Sequence, residues 1–135
     1  MVPAPGETGG DWWAVTGQDA ARRAKDERDG RPAEGDFDEP TYFLHDLPPA
    51  VLEEAGDHDR VQSGRPFEDP WPAVRTRVIS GRDDRFFPVD FQRRVSQDRL
   101  GITPDVVAGG HLVALSNPVG LVDLLERYLE PQPST

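Results

Sequence analysis

Cysteine is absent from the sequence, which excludes disulfides, thiolate nucleophiles and cysteine-based metal sites together. Lysine is almost absent: of the 15 basic residues only Lys25 is a lysine. Acidic residues outnumber basic ones 25 to 15, and the formal charge of -10 repels nucleic acid and anionic membrane surfaces at long range. No apolar run approaches the roughly 18 residues a membrane span needs. The opening Met1-Val2-Pro3-Ala4-Pro5-Gly6-Glu7 also lacks the basic start and apolar core of a secretion signal. The expectation is a soluble, cytoplasmic protein with neither a nucleic-acid nor a membrane partner. His45, His58 and His111 are scattered over unlike segments with no metal-ligand spacing, so neither a metal nor a cofactor is expected.

What is abundant is glycine and proline, 13 and 14 residues, which implies many turns and extended connections. With 36% hydrophobic residues in a chain of 135, one modest core is the most that can be buried. The two halves differ, with the break near Pro70-Trp71-Pro72. In the first, residues 3–13 read as a loop anchored by Trp12 and Trp13, whose large rings need an apolar partner. Residues 18–29 are good helix formers in which only alanines interrupt the charges, so a solvated helix or a disordered stretch is expected. Residues 30–39 read as a mobile loop, and the acidic residues from 26 to 39, with Glu53 and Glu54, as solvated. Asp46 ahead of Pro48-Pro49 suits a helix start and Gly56 its end. His45 and His58 read as surface or locally hydrogen-bonded.

The second half alternates short strands with amphipathic helices, the pattern of parallel α/β architecture. Residues 74–80 predict a strand, with Gly81 turning the chain. Pro88 suits the first turn of a helix, Phe91 and Val95 fall at i, i+4, and Gly101 is a stop. Residues 105–107 predict a second strand running into Ala108-Gly109-Gly110-His111. Asn117 can cap a last helix with Leu121, Val122, Leu125 and Leu129 as its buried stripe. In an open parallel sheet, functional groups gather in loops at the carboxyl ends of strands. Asp84 follows the first strand and His111 the second. A carboxylate beside one ring nitrogen of a histidine fixes its tautomer and leaves the other nitrogen to take a proton from a nucleophile.

Gly81-Arg82-Asp83-Asp84-Arg85-Phe86-Phe87-Pro88, followed by Pro104-Asp105-Val106-Val107-Ala108-Gly109-Gly110-His111-Leu112, resembles the acid loop and histidine loop of α/β-hydrolases, over roughly residues 71–130. In that family the acid commonly falls three residues after the strand-ending glycine, with a proline four residues beyond. The resemblance therefore implies Asp84, rather than Asp83, as acid and His111 as base. It implies a partial α/β-hydrolase fold: two C-terminal parallel βα units preceded by a mostly helical or irregular cap segment. Residues 1–13 would be the exit from a sixth strand, which Val2-Pro3-Ala4-Pro5-Gly6-Glu7-Thr8 resembles. Residues 14–70 would be the cap and 71–135 the C-terminal core. Trp12, Trp13, Phe43 and Leu112 are the candidates for anchoring the cap or lining an apolar acyl or alcohol pocket.

The sequence is similar to esterase-like members of the salicylate methylesterase and hydroxynitrile lyase type, which implies a small ester as substrate. It departs from the pattern in having no Gly-x-Ser-x-Gly nucleophile elbow; Ser63, Ser80, Ser96 and Ser116 stand in none. Inactivity of the chain alone is the expectation, as the C-terminal part of an esterase whose serine lies upstream. Epoxide hydrolases, dehalogenases and hydroxynitrile lyases share the same half-fold. The alternative is a truncated non-catalytic protein that needs a partner or is a pseudo-enzyme, with self-association through an exposed sheet edge. Few contacts are expected between residues 1–60 and a compact core.

Overall fold

Thr8 and Asp11 begin the first helix, α1 (Gly9–Thr16), with a reciprocal cap. The Thr8 hydroxyl accepts from the Asp11 amide at 3.0 Å, and the Asp11 carboxylate accepts from the Thr8 amide at 2.9 Å. This cap offsets the helix cost of Gly9-Gly10, about 1 kcal/mol for each glycine, and makes a helix of the end, from Gly9 on, of the loop expected over residues 3–13. The computed structural model describes residues 2–33, 35–56 and 60–130, so His58 lies outside the described residues.

Helix α2 (Gln18–Arg28) is the charged segment, and it is ordered from within. Gln18, Arg22 and Asp26, at i, i+4 and i+8, form its buried face. Asp26, expected to be solvated, has no exposed surface. Its carboxylate accepts from the Tyr42 hydroxyl at 2.7 Å, from Arg22 at 3.2 Å and from Arg31 Nε at 2.9 Å. Tyr42 OH in turn accepts from Arg22 at 2.7 Å. A buried carboxylate is tolerable only with such a complement of donors. Tyr42 is delivered by the single turn α3 (Glu39–Tyr42), which Asp38 caps through the Thr41 amide. Helix α4 (Pro49–Gly56) follows as expected, with Glu53 and Glu54 exposed. The short α5 (Arg65–Glu68), which the sequence did not announce, lies against α1.

Two strands, β1 (Ile79–Gly81) and β2 (Asp105–Val107), pair in parallel with Ile79 opposite Asp105 and Gly81 opposite Val107. The second strand has its expected bounds. The first is shorter than residues 74–80 predict because its ladder extends only where three-residue β2 faces it, and Val74 is left 57% exposed. Between them runs α6 (Val89–Leu100), ended by Gly101 at a left-handed φ of 66° that favours glycine. The result is mixed α/β, helix-dominated, with a two-stranded parallel sheet.

The apolar core joins the two halves of the chain, where few contacts were expected. Trp12 of α1 is buried against Phe91 and Val95 of α6, with its ring edge-on to Phe87 and Phe91 at 5.6 and 5.9 Å. Each such fully buried side chain contributes about 1.5–3 kcal/mol. Polar contacts repeat the link: Gln18 donates to the Phe86 carbonyl, Arg94 to that of Thr16 and Arg85 to that of Thr41, and Glu7 pairs with Arg99. The expected separation fails because Trp12 finds the apolar surface that buries it on Phe87, Phe91 and Val95, and Gln18 of α2 finds its acceptor at Phe86.

The single turn α7 (Val113–Ser116) precedes α8 (Pro118–Leu129), which starts where expected, with Asn117 accepting from the Gly120 amide at 3.0 Å. Its expected buried stripe is not buried. Val122, Leu125 and Leu129 are exposed, Leu121 is half-buried and Leu124 is the covered residue. The helix is oriented by Tyr128, whose hydroxyl meets Asp105 of β2 at 2.5 Å beneath the Arg77 guanidinium. Burial, reinforced by Asp105, pushes the Tyr128 hydroxyl up to about 12. With a sheet of two strands, nothing among the described residues lies over the Val122–Leu125 side. No described helix is long and apolar enough to cross a membrane.

Candidate functional site

Both strands end in loops on the same edge of the sheet, because they are parallel. After β1 the chain turns through Arg82-Asp83, and Asp84 swings inward, 4% exposed. Its Oδ1 accepts from the amides of Phe86 and Phe87 at 2.8 and 2.9 Å, a local turn that locks the carboxylate. Its Oδ2 lies 2.9 Å from Nδ1 of His111. A carboxylate in this arrangement acts as acceptor, which makes Nδ1 the protonated ring nitrogen. His111 Nε2 makes no hydrogen bond to any described residue. Asp83 is engaged elsewhere: it pairs with Arg82 at 3.0 Å, which holds its carboxyl below the usual carboxylate range, and accepts from the Gly109 amide at 3.3 Å.

The imidazole sits in an aromatic collar. Phe43 stacks on it nearly parallel, with centroids 4.1 Å apart and planes at 5°, while Phe86 stands edge-on at 5.5 Å and Phe87 is tilted at 5.2 Å. Phe86 passes the cluster on to Phe37 and Trp13 at 5.4 and 6.0 Å. Trp13, Phe37 and Phe86 line an open recess of about 390 Å³ with Gln18, Arg22 and Asp36. Trp12 borders a cavity of only about 30 Å³, room for a water and not for a substrate group. Of the four residues expected to line a pocket or anchor the cap, Phe43 meets His111 directly, Trp13 faces the recess and Trp12 is core. Leu112, half-buried ahead of α7, lines neither cavity.

Glycines allow the two loops to touch. A Cβ on Gly81 would stand 2.4 Å from the Gly110 carbonyl oxygen, and one on Gly110 would stand 2.7 Å from Asp46 Oδ1. Real side chains do not occupy such distances, so the Gly109-Gly110 turn before His111 is confined from both sides. Sequence reasoning missed Asp46: it was read as a helix start, yet its Oδ2 accepts from the Gly110 amide at 2.6 Å, 64 residues away. His45, read as surface or locally hydrogen-bonded, has a buried Nε2 with no hydrogen-bond partner, and burial followed by nearby Arg85 holds its imidazole below the usual histidine range. Phe43 was already a candidate for the pocket or cap, and Phe86 and Phe87 stand directly after the acid loop in the sequence, so the aromatic residues carried a signal for the collar.

The serines the sequence offered stand apart from the imidazole. Ser80 has no exposed surface, Ser96 donates to the Ile102 carbonyl, Ser63 accepts from the Arg65 amide, and the Ser116 hydroxyl is buried. None of them hydrogen-bonds to His111. Among the described residues no group of three or more histidine or acidic side chains could hold a metal ion. The arrangement can thus orient an imidazole and accept a proton at Nε2. Comparisons with protein-family models, with curated proteins and with solved structures find no match.

Proposed function

We propose that the chain furnishes the acid and base of an α/β-hydrolase acting on carboxylic esters, with Asp84 orienting His111. The observation that carries this reading is the 2.9 Å contact between Asp84 Oδ2 and His111 Nδ1 at the carboxyl ends of two adjacent parallel strands, with Nε2 left unpaired among the described residues. Nε2 would take the proton of a serine hydroxyl as its oxygen attacks the ester carbonyl carbon. The imidazolium, held by Asp84, would then give that proton to the departing alcohol oxygen. A water activated by the same nitrogen would release the acid and return the proton to serine. The sequence carries no Gly-x-Ser-x-Gly segment, so in this reading the serine and the donors for the developing oxyanion come from sequence outside the 135 residues.

The test is to express the chain in its full reading frame, should that frame carry a Gly-x-Ser-x-Gly segment upstream of Met1, and to follow hydrolysis of short p-nitrophenyl esters. His111→Ala should abolish turnover, and Asp84→Asn should lower kcat by about 10⁴ through the wrong tautomer. Unchanged activity in His111→Ala ends the assignment. A second reading, a non-catalytic protein that associates with itself or a partner, is favoured by the exposed Val119, Val122 and Leu129 of α8 and by unpaired strand edges. A purified chain that stays monomeric at high concentration would exclude self-association.

A further inference from the structure

We propose that Asp46 is the positioning residue for His111, fixing the backbone turn from which the imidazole projects; this rests on the reading of His111 as a base. The turn after β2 is held at its start by Asn117, whose side chain donates to the Ala108 carbonyl at 2.9 Å. The Gly109 carbonyl accepts from the Asp83 amide at 2.9 Å, and its own amide donates weakly to the Asp83 carboxylate at 3.3 Å. The next amide, that of buried Gly110, immediately precedes His111 and donates to Asp46 Oδ2 at 2.6 Å, the shortest bond in the turn. A charge-assisted bond of this kind is among the strong ones, whereas a buried amide without a partner is costly.

Position argues for more than scaffolding. Asp46 and Phe43 belong to one short segment, and they grip His111 from two directions. Phe43 covers the ring face at 4.1 Å, and Asp46 holds the preceding peptide. The rotation left to the imidazole is the one Asp84 fixes. Asp46 does not serve the helix that follows it: the carboxylate bonds no amide of α4, and its Oδ1 is buried without a partner. The absence of a side chain at Gly110 is what admits the carboxylate, since a Cβ there would stand 2.7 Å from Asp46 Oδ1 and 2.9 Å from His45 Nε2.

The experiment uses the 135-residue chain labelled with ¹⁵N. In the unmodified protein the Gly110 amide should exchange slowly although no strand ladder pairs it, and His111 should be found as the Nδ1–H tautomer. Exchange at the rate of a free loop amide overturns the proposal without recourse to any variant. In Asp46→Ala, protection of Gly110 should fall about tenfold to a hundredfold, the exchange equivalent of losing a hydrogen bond to a charged group. The Nδ1–H population should fall with it, a readout that a merely structural aspartate would not move. Asp46→Asn, which keeps an accepting oxygen, should restore most of both. Unaltered tautomer and protection in a folded Asp46→Ala protein refute the assignment. None of these measurements needs a substrate, so they remain readable even if ester hydrolysis fails to depend on His111.

Discussion

In the layer built by α1, α2 and α3, Asp26 has no exposed surface and Arg22 keeps 5%, whereas in α8 Val119 is 70% and Leu129 85% exposed. The charged helix is the buried one and the apolar helix the exposed one. Polarity alone, read along the sequence, assigns them the other way round. What separates them is neighbours. Asp26 meets Tyr42, Arg22 and Arg31, which together supply its oxygens with donors. Leu129 has no covering neighbour among the described residues, whose sheet has two strands. Burial therefore follows the supply of complementary partners more closely than the hydropathy of the segment.

The strongest way to break this contrast is Asp26→Ala. It removes the buried acceptor shared by Arg22, Arg31 and Tyr42, leaving Arg22 with Asp19 and Arg31 with Asp29, and should cost about 3 kcal/mol, a large part of an ordinary domain's stability of about 5–15 kcal/mol. Urea denaturation would measure it, and a loss below about 1 kcal/mol would show that the charged core is ornamental. The next largest effect belongs to α8. Leu124→Ala should cost about 2–4 kcal/mol, since Leu124 is its covered residue. Leu129→Ala should stay within about 0.5 kcal/mol in the same titration. Equal losses at both positions would mean that the exposed side of α8 is covered in solution.

The smallest effect is one of pH. His45 is held below its usual value of 6.5 by burial, so on acidification the unfolded chain takes up the proton first. The stability present above about pH 6.5 is lost as pH falls through the folded value. Asp19, Asp29 and Asp83 are held low by Arg23, Lys25 and Arg82 respectively, and their contribution is lost only at lower pH, below the usual carboxylate value of 3.8. Urea midpoints between about pH 7.5 and about pH 5 should decline, and His45→Gln should flatten that decline. A decline of unchanged slope in His45→Gln would assign it to another group.

What could be read from the sequence was whatever leaves a local mark. Glycine and proline punctuation placed β2, α6 with its Gly101 stop, and the Asn117 cap of α8. The Gly-x-x-Asp and Gly-Gly-His turns singled out the two side chains that meet at 2.9 Å. The reading failed where contacts cross the chain. The link from Asp46 to Gly110 spans 64 residues and that from Gln18 to Phe86 spans 68, and neither imposes a periodicity on either segment. Helix α1 was missed for a different reason: its reciprocal cap, Thr8 with Asp11, encloses the glycine pair Gly9-Gly10, which reads as a turn. The length of β1 depended on its partner strand, which no property of residues 74–78 encodes.

The single lysine sits at the edge of the charged core. Lys25 pairs with Asp29 at 2.8 Å, and the next residue is Asp26. A protease that cuts only after lysine therefore has one target in the whole chain, the peptide bond that leads into the most deeply buried carboxylate. Severing it would divide α2 between its Arg22 and Asp26 turns. The rate of that one cut reports how often the helical layer opens, giving a two-fragment clock for the half of the molecule that grips His111.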